Sequence, residues 1–159
     1  MEKVKMDGIV GLTKLFRSET NELSKGAVVI FAGSAAVCAP FAELLGYAVC
    51  DKEFALFFSP LANEKDCREL HWNEGTGYSI SPIGKETAGA DLIVVLGGLA
   101  MPKFGCPVET IQQFIEKVSK PGTTKVIGVG FMDILRSSGW HLQIDFDSIL
   151  NSTIETERE

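Results

Sequence analysis

Four short apolar runs stand out along the chain: Val28-Val29-Ile30-Phe31-Ala32, Phe54-Ala55-Leu56-Phe57-Phe58, Leu92-Ile93-Val94-Val95-Leu96 and Lys125-Val126-Ile127-Gly128-Val129. Each is rich in branched or aromatic residues and shows no polar alternation, the pattern of strands buried on both faces of a sheet. A fifth stretch, His141 to Asp147, alternates Leu142, Ile144 and Phe146 with Gln143, Asp145 and Asp147. That alternation predicts an edge strand with one wet face.

Between the runs lie helical periods. Phe41, Leu44, Leu45, Ala48 and Val49 form one apolar stripe, and Val108, Ile111, Ile115 and Val118 form another, opposite Glu109, Gln112, Gln113, Glu116 and Lys117. Ile9, Leu12, Phe16 and Leu23 predict an N-terminal helix ended by Gly26, and Lys120-Pro121-Gly122 stops the later helix. Strands alternating with helices indicate parallel βαβ units with right-handed crossovers. The predicted fold is α/β: a three-layer, doubly wound, mostly parallel sheet of about five strands, Rossmann-like or flavodoxin-like in order. Within residues 60–90 the pattern predicts a helix near Glu64 to Leu70 and a short strand at Tyr78-Ser79-Ile80. The link around Asp133-Ile134-Leu135-Arg136 is near the minimum for a helical crossover, so a turn into an antiparallel edge stands as its alternative.

The length of 159 residues fits a single domain over 1–159, with an N-terminal helix in 1–26, sheet and helices in 27–150, and a tail over 151–159. The formal charge of −6, without any Lys/Arg run, argues against nucleic acid as a partner. No stretch reaches the roughly 18 apolar residues of a membrane helix, and Met1 to Gly8 lack a signal-peptide core. The four cysteines, at 38, 50, 67 and 106, have no paired spacing, so free thiols and a cytoplasmic location are expected.

Ligands of open α/β sheets bind beyond the carboxyl ends of the strands, where strand order reverses. Three segments occupy that edge: Gly33-Ser34-Ala35-Ala36-Val37-Cys38-Ala39, the loop from Gly97-Gly98 through Met101 and Lys103 to Cys106, and Gly130-Phe131-Met132-Asp133. Proline is favoured at a first helical position, so Pro40 and Pro107 are expected to open helices. Cys38 and Cys106 then sit at helix starts, where free amides and the dipole favour an anion or a thiolate. With the first and third runs adjacent, both thiols would face one crevice. The commoner fate of such cysteines is burial as small hydrophobes. Gly33, Gly97 and Gly98 answer equally to tight turns, although two loops this long exceed what a βα connection needs. Cys50 cannot join Cys38, because twelve helical residues span roughly 18 Å.

Lys103 is the only cation of the second loop and a candidate partner for an anionic ligand. Asp133 lies at the right edge, with helix capping as its ordinary role. His71, in a glycine-bearing stretch, is a candidate on a flap, whereas His141 is expected at the opposite edge; Glu43 reads as a solvated first-turn carboxylate. No phosphate loop, dinucleotide fingerprint or nucleophile elbow occurs, no cysteine–arginine phosphatase signature is present, and no metal site is expected. No fingerprint names a cofactor.

At Ala39-Pro40-Phe41-Ala42-Glu43-Leu44-Leu45 and Leu96-Gly97-Gly98-Leu99-Ala100-Met101-Pro102-Lys103 the chain resembles a family of uncharacterised archaeal proteins, chiefly from methanogens. The resemblance spans most of the chain. It implies an anaerobic cytoplasm, suited to free thiols, and lends no catalytic residues. Three functional readings remain. The first is a protein binding a small anionic or nucleotide-like ligand between the loops after the first and third strands. The second is an enzyme using Cys38 or Cys106. The third is a non-catalytic interaction module, either a homo-oligomer or an accessory subunit.

Overall fold

The computed structural model describes residues 3–159, so positions 1 and 2 of the expected N-terminal segment lie outside the described residues. Seven strands form one sheet: β1 (Val28–Gly33), β2 (Ala55–Pro60), β3 (Cys67–Asn73), β4 (Gly77–Lys85), β5 (Leu92–Leu96), β6 (Lys125–Phe131) and β7 (Ser148–Ser152). Their order is β4-β3-β2-β1-β5-β6-β7. The five strands β2, β1, β5, β6 and β7 are mutually parallel, and β3 and β4 extend the β2 edge antiparallel. The fold is therefore α/β with a mostly parallel sheet of seven strands rather than about five.

The absence of alternation in the apolar runs has a direct cause. Val29 and Phe31 of β1 pack into one core layer with Leu92, Val94 and Leu96 of β5, while Ile30, Ala32, Ile93 and Val95 pack into the other. Helices α1 (Gly8–Glu19) and α2 (Ala35–Ala48) cover the first layer through Leu12, Phe16, Cys38, Ala42 and Leu45. Helix α3 (Val108–Val118) and the short helices α4 (Ile134–Ser137) and α5 (Trp140–Gln143) cover the second through Ile111, Phe114, Leu135 and Trp140.

Five expectations need correction. The N-terminal helix ends at Glu19, with Thr20 as its C-cap, rather than at Gly26, so Leu23 lies beyond it. Where a helix was expected near Glu64 to Leu70, the chain forms the β3–β4 hairpin. Tyr78-Ser79-Ile80 does fall within its second strand, and Glu74-Gly75-Thr76 makes the turn with Gly75 at φ 82°. A three-residue loop carrying a left-handed glycine is a hairpin turn. The stretch from His141 to Asp147 is not a strand. His141 and Leu142 lie in α5, with Leu142 82% exposed, and Ile144 is buried on the approach to β7. Asp147 anchors that approach by accepting from Val126 N–H at 2.8 Å, and β7 begins one residue later.

Pro40 does not open α2. It is the sixth residue of the helix, on an exposed side, where the lost bond to the exposed Ala36 carbonyl leaves that oxygen to solvent. The expected tail also starts later, since Asn151 and Ser152 belong to β7. The short link after β6 is a helical crossover, because β7 runs parallel to β6.

Candidate functional site

The strand order reverses between β1 and β5: the chain leaves β1 for β2 on one side and β5 for β6 on the other. Above this point the carboxyl ends of β1, β5 and β6 meet the start of α2. Three glycines allow the approach. A Cβ on Gly33 would lie 2.4 Å from Cys38 Cβ, one on Gly97 would lie 2.5 Å from Ile134 Cγ2 and 3.0 Å from Gly130 Cα, and one on Gly98 would lie 2.5 Å from Cys38 Sγ. None of the three has a positive φ, so it is close packing, not turn geometry, that requires glycine here.

The arrangement leaves a crevice of about 310 Å³, near the lower limit of ligand cavities. Helix α2 contributes Val37, Cys38 and Phe41. The end of β5 and its loop contribute Leu96, Gly97, Gly98 and Met101, and the end of β6 contributes Val129, Phe131, Met132 and Ile134. The Phe41 and Phe131 rings pack at 4.6 Å between centroids. Among the described residues no charged side chain lines this wall. Its one thiol, Cys38, is 2% exposed and lies 3.4 Å from Ser34 Oγ. Ser34 holds the N-cap position of α2, where its carbonyl accepts from Cys38 N–H at 2.9 Å. Cys38 therefore sits one turn inside the helix, not before it.

Of the residues singled out in the sequence, Cys38, Gly97, Gly98 and Met101 meet on the crevice wall. Gly33 and Ser34 lie directly behind Cys38, and Ala35 is exposed at the first position of α2. The others are elsewhere. Lys103 is exposed on a 3₁₀ turn, its Nζ 5.1 Å from the Phe104 ring centre. The Asp133 carboxylate lies 3.7 Å from Arg136 and makes no side-chain cap to α4.

Cys106 packs against the opposite core layer from Cys38. Pro107 is the N-cap residue of α3, so Cys106 precedes the cap, and burial pushes its thiol pKa up rather than down. The expectation that both thiols share a crevice fails for a topological reason. The reversal of strand order that opens the crevice also sends α2 and α3 to opposite faces of the sheet. His71 is exposed on β3, which runs antiparallel to β2 and carries it toward the amino ends of the parallel strands. It lies on no flap over the crevice.

Comparison with known proteins matches residues 7–155 to the family described as "Uncharacterized protein conserved in archaea (DUF2124)". The chain belongs to this archaeal family. An uncharacterized protein of Methanocaldococcus jannaschii is 37% identical over 155 residues, covering 94% of this chain and 88% of that one. An uncharacterized protein of Methanothermobacter thermautotrophicus is 34% identical over 157 residues, covering 98% and 96%. A crystal structure of a protein of unknown function from Methanothermobacter thermautotrophicus superposes with a TM-score of 0.87 at 32% identity, covering all of this chain and 97% of the other. The resemblance carried by the Ala39–Leu45 and Leu96–Lys103 stretches is thus that of a DUF2124 protein.

Those two stretches supply much of the crevice of this DUF2124 chain: Phe41 from the first, and Leu96, Gly97, Gly98 and Met101 from the second. Sequence reasoning missed Val37, Phe41, Leu96, Val129, Phe131, Met132 and Ile134 as wall residues. In the sequence Phe41, Leu96 and Val129 read as core positions, and Val37, Phe131 and Met132 lie inside the right segments without a signal of their own. Apolar side chains at the carboxyl end of a buried strand or in the first two turns of the next helix were the available signal. Among the described residues no group of three or more His, Cys, Asp or Glu is placed to hold a metal ion. No helix among them is long and apolar enough to cross a membrane.

Proposed function

We propose that this protein binds a small molecule through the crevice at the strand-order reversal, and that the ligand has an apolar or aromatic body with an anionic end. The reading rests above all on the wall itself: an apolar cavity of about 310 Å³ at the switch point, with no charged side chain among the described residues that line it. Such a wall favours the uncharged part of a ligand, since burying an unpaired charge there is costly. The anionic end has a different partner. The first amides of α2, up to Val37, have no intrahelical acceptor, and Ala35 and Ala36 are exposed beside the crevice mouth. A nucleotide-like molecule entering base first is one member of this ligand class. Thiol chemistry at Cys38 is less well supported, because no histidine, carboxylate or lysine among the described residues stands on the wall to take its proton.

Anilinonaphthalene sulfonate, a dye with an apolar body and one anionic group, tests the reading. Titration is expected to show one saturable site per chain. Val37→Trp fills the mouth from the exposed side of α2, and it is expected to weaken the dye at least about tenfold without lowering the melting temperature, a loss of roughly 1.4 kcal/mol in binding. Lys103→Ala is expected to leave binding unchanged. Equal affinity in Val37→Trp and the parent protein would put the dye outside the crevice and overturn the proposal.

A further inference from the structure

The β6 side of the crevice wall ends in a left-handed turn, as the end of β2 does at Leu61 and Ala62. Directly after β6, Met132 and Asp133 both adopt positive φ, 54° and 62°. Side chains with a Cβ rarely take this left-handed region, and two in succession persist only where the surroundings impose them. Both side chains are exposed, so burial does not impose the turn. The restraint comes from β7 and the residues after it. Met132 N–H donates to the Ser152 carbonyl at 2.8 Å, Asp133 N–H donates to Asn151 Oδ1 at 2.8 Å, and Ile154 N–H donates to Met132 Sδ at 3.5 Å. The register pairs Gly130 with Asn151 and Phe131 with Ser152, which leaves the Asn151 amide within reach of the turn. Of the two bonds that the amides of the turn itself donate, only the one to Asn151 ends on a side chain, so it can be removed without altering the backbone.

We infer that Asn151 is a positioning residue for the crevice: its Oδ1 latches the Met132–Asp133 turn, keeps Met132 on the wall, and sets how fast a ligand enters and leaves. This rests on the crevice being the ligand site. With the latch intact, the turn stays left-handed and Met132 closes one side of the opening. With it broken, the turn can relax to an ordinary conformation and carry Met132 outward. A gate of this kind changes the rates in both directions and leaves the equilibrium nearly alone, whereas a lost contact or a damaged fold raises dissociation only.

Stopped-flow binding of anilinonaphthalene sulfonate to the full chain separates these cases. Asn151 is exposed at the end of an edge strand, so its replacement leaves the core intact. For Asn151→Ala, association and dissociation are both expected to rise about fivefold, the factor that one net hydrogen bond sets, with the dissociation constant within about twofold of the parent. Asn151→Asp keeps an acceptor oxygen and is expected to restore both rates. Unchanged rates in Asn151→Ala, or a rise in dissociation alone, would overturn the latch. If Val37→Trp blocks the dye while Asn151→Ala leaves its rates untouched, the latch fails and the crevice reading stands. If Val37→Trp has no effect, the crevice reading fails and the latch falls with it.

Discussion

Gly97→Ala is expected to destabilise the protein by about 2–3 kcal/mol, read as a lower denaturation midpoint with an unchanged denaturant slope. The added methyl would meet Ile134 Cγ2 at 2.5 Å, Gly130 Cα at 3.0 Å and the Val129 carbonyl oxygen at 3.4 Å. Two of these are backbone atoms of β6, which is held in register with β5 from Leu92↔Lys125 to Leu96↔Val129. The strand cannot withdraw without loosening that ladder. Because Gly97 has no positive φ, alanine meets no conformational obstacle, and the whole cost is steric. A change under about 0.5 kcal/mol, the size of an ordinary surface substitution, would show that the strand ends are not packed as described.

The second large effect is one of coupling. A methyl on Gly98 would lie 2.5 Å from Cys38 Sγ, whereas its other neighbours, Ser34 Oγ at 3.4 Å and Val37 Cγ1 at 3.7 Å, are in ordinary contact. Gly98→Ala alone is therefore expected to cost about 1–2 kcal/mol, since the thiol must leave its place beside Ser34 in a tightly packed layer. In a Cys38→Ala background the obstacle is gone. The double-mutant cycle is expected to return a coupling of about 1 kcal/mol or more, with the two changes together less damaging than their sum. Strict additivity would mean that Cys38 Sγ does not rest against Gly98. This cycle also bears on the thiol itself, because a side chain fixed between Gly98 and Ser34 serves as packing on the crevice wall whether or not it touches a ligand.

Much of the sheet was legible because burial on both faces leaves a mark on sequence that needs no alignment. Leu92–Leu96 is the same as run and as strand, and the other three central strands differ from their runs only at the ends. The hairpin was not legible in the same way. Along β4 no residue is fully buried, and along β3 only Cys67 and Leu70 are, so neither strand carries enough apolar alternation to outweigh a helical reading of Glu64 to Leu70. The opposite error occurred at His141 to Asp147. There a turn of helix followed by an extended approach placed Ile144 inside and Leu142 outside, and the mixture imitated a strand.

The location of the candidate site followed from topology, but its chemistry did not. Sequence position places Lys103 and Cys106 beyond the carboxyl end of β5, as expected. It does not say on which face of the sheet the chain then continues. The chain goes to the α3 side, leaving the α2 side with Met101, Phe131 and Met132, so a loop that reads as partly cationic borders an apolar crevice. Asn151 is illegible for a related reason: its role depends on pairing between β7 and β6, and the alternation points to a strand at His141 to Asp147, which ends before β7 begins at Ser148.

The most direct measurement is native mass spectrometry of the freshly purified full chain, produced anaerobically in a related host. The account predicts one non-covalent mass per chain, belonging to a molecule with an apolar or aromatic body and an anionic group. That mass should be lost in Val37→Trp and retained in Lys103→Ala. A chain that carries no bound mass from such a source, or a mass that persists in Val37→Trp, would contradict the assignment of the crevice as the functional site.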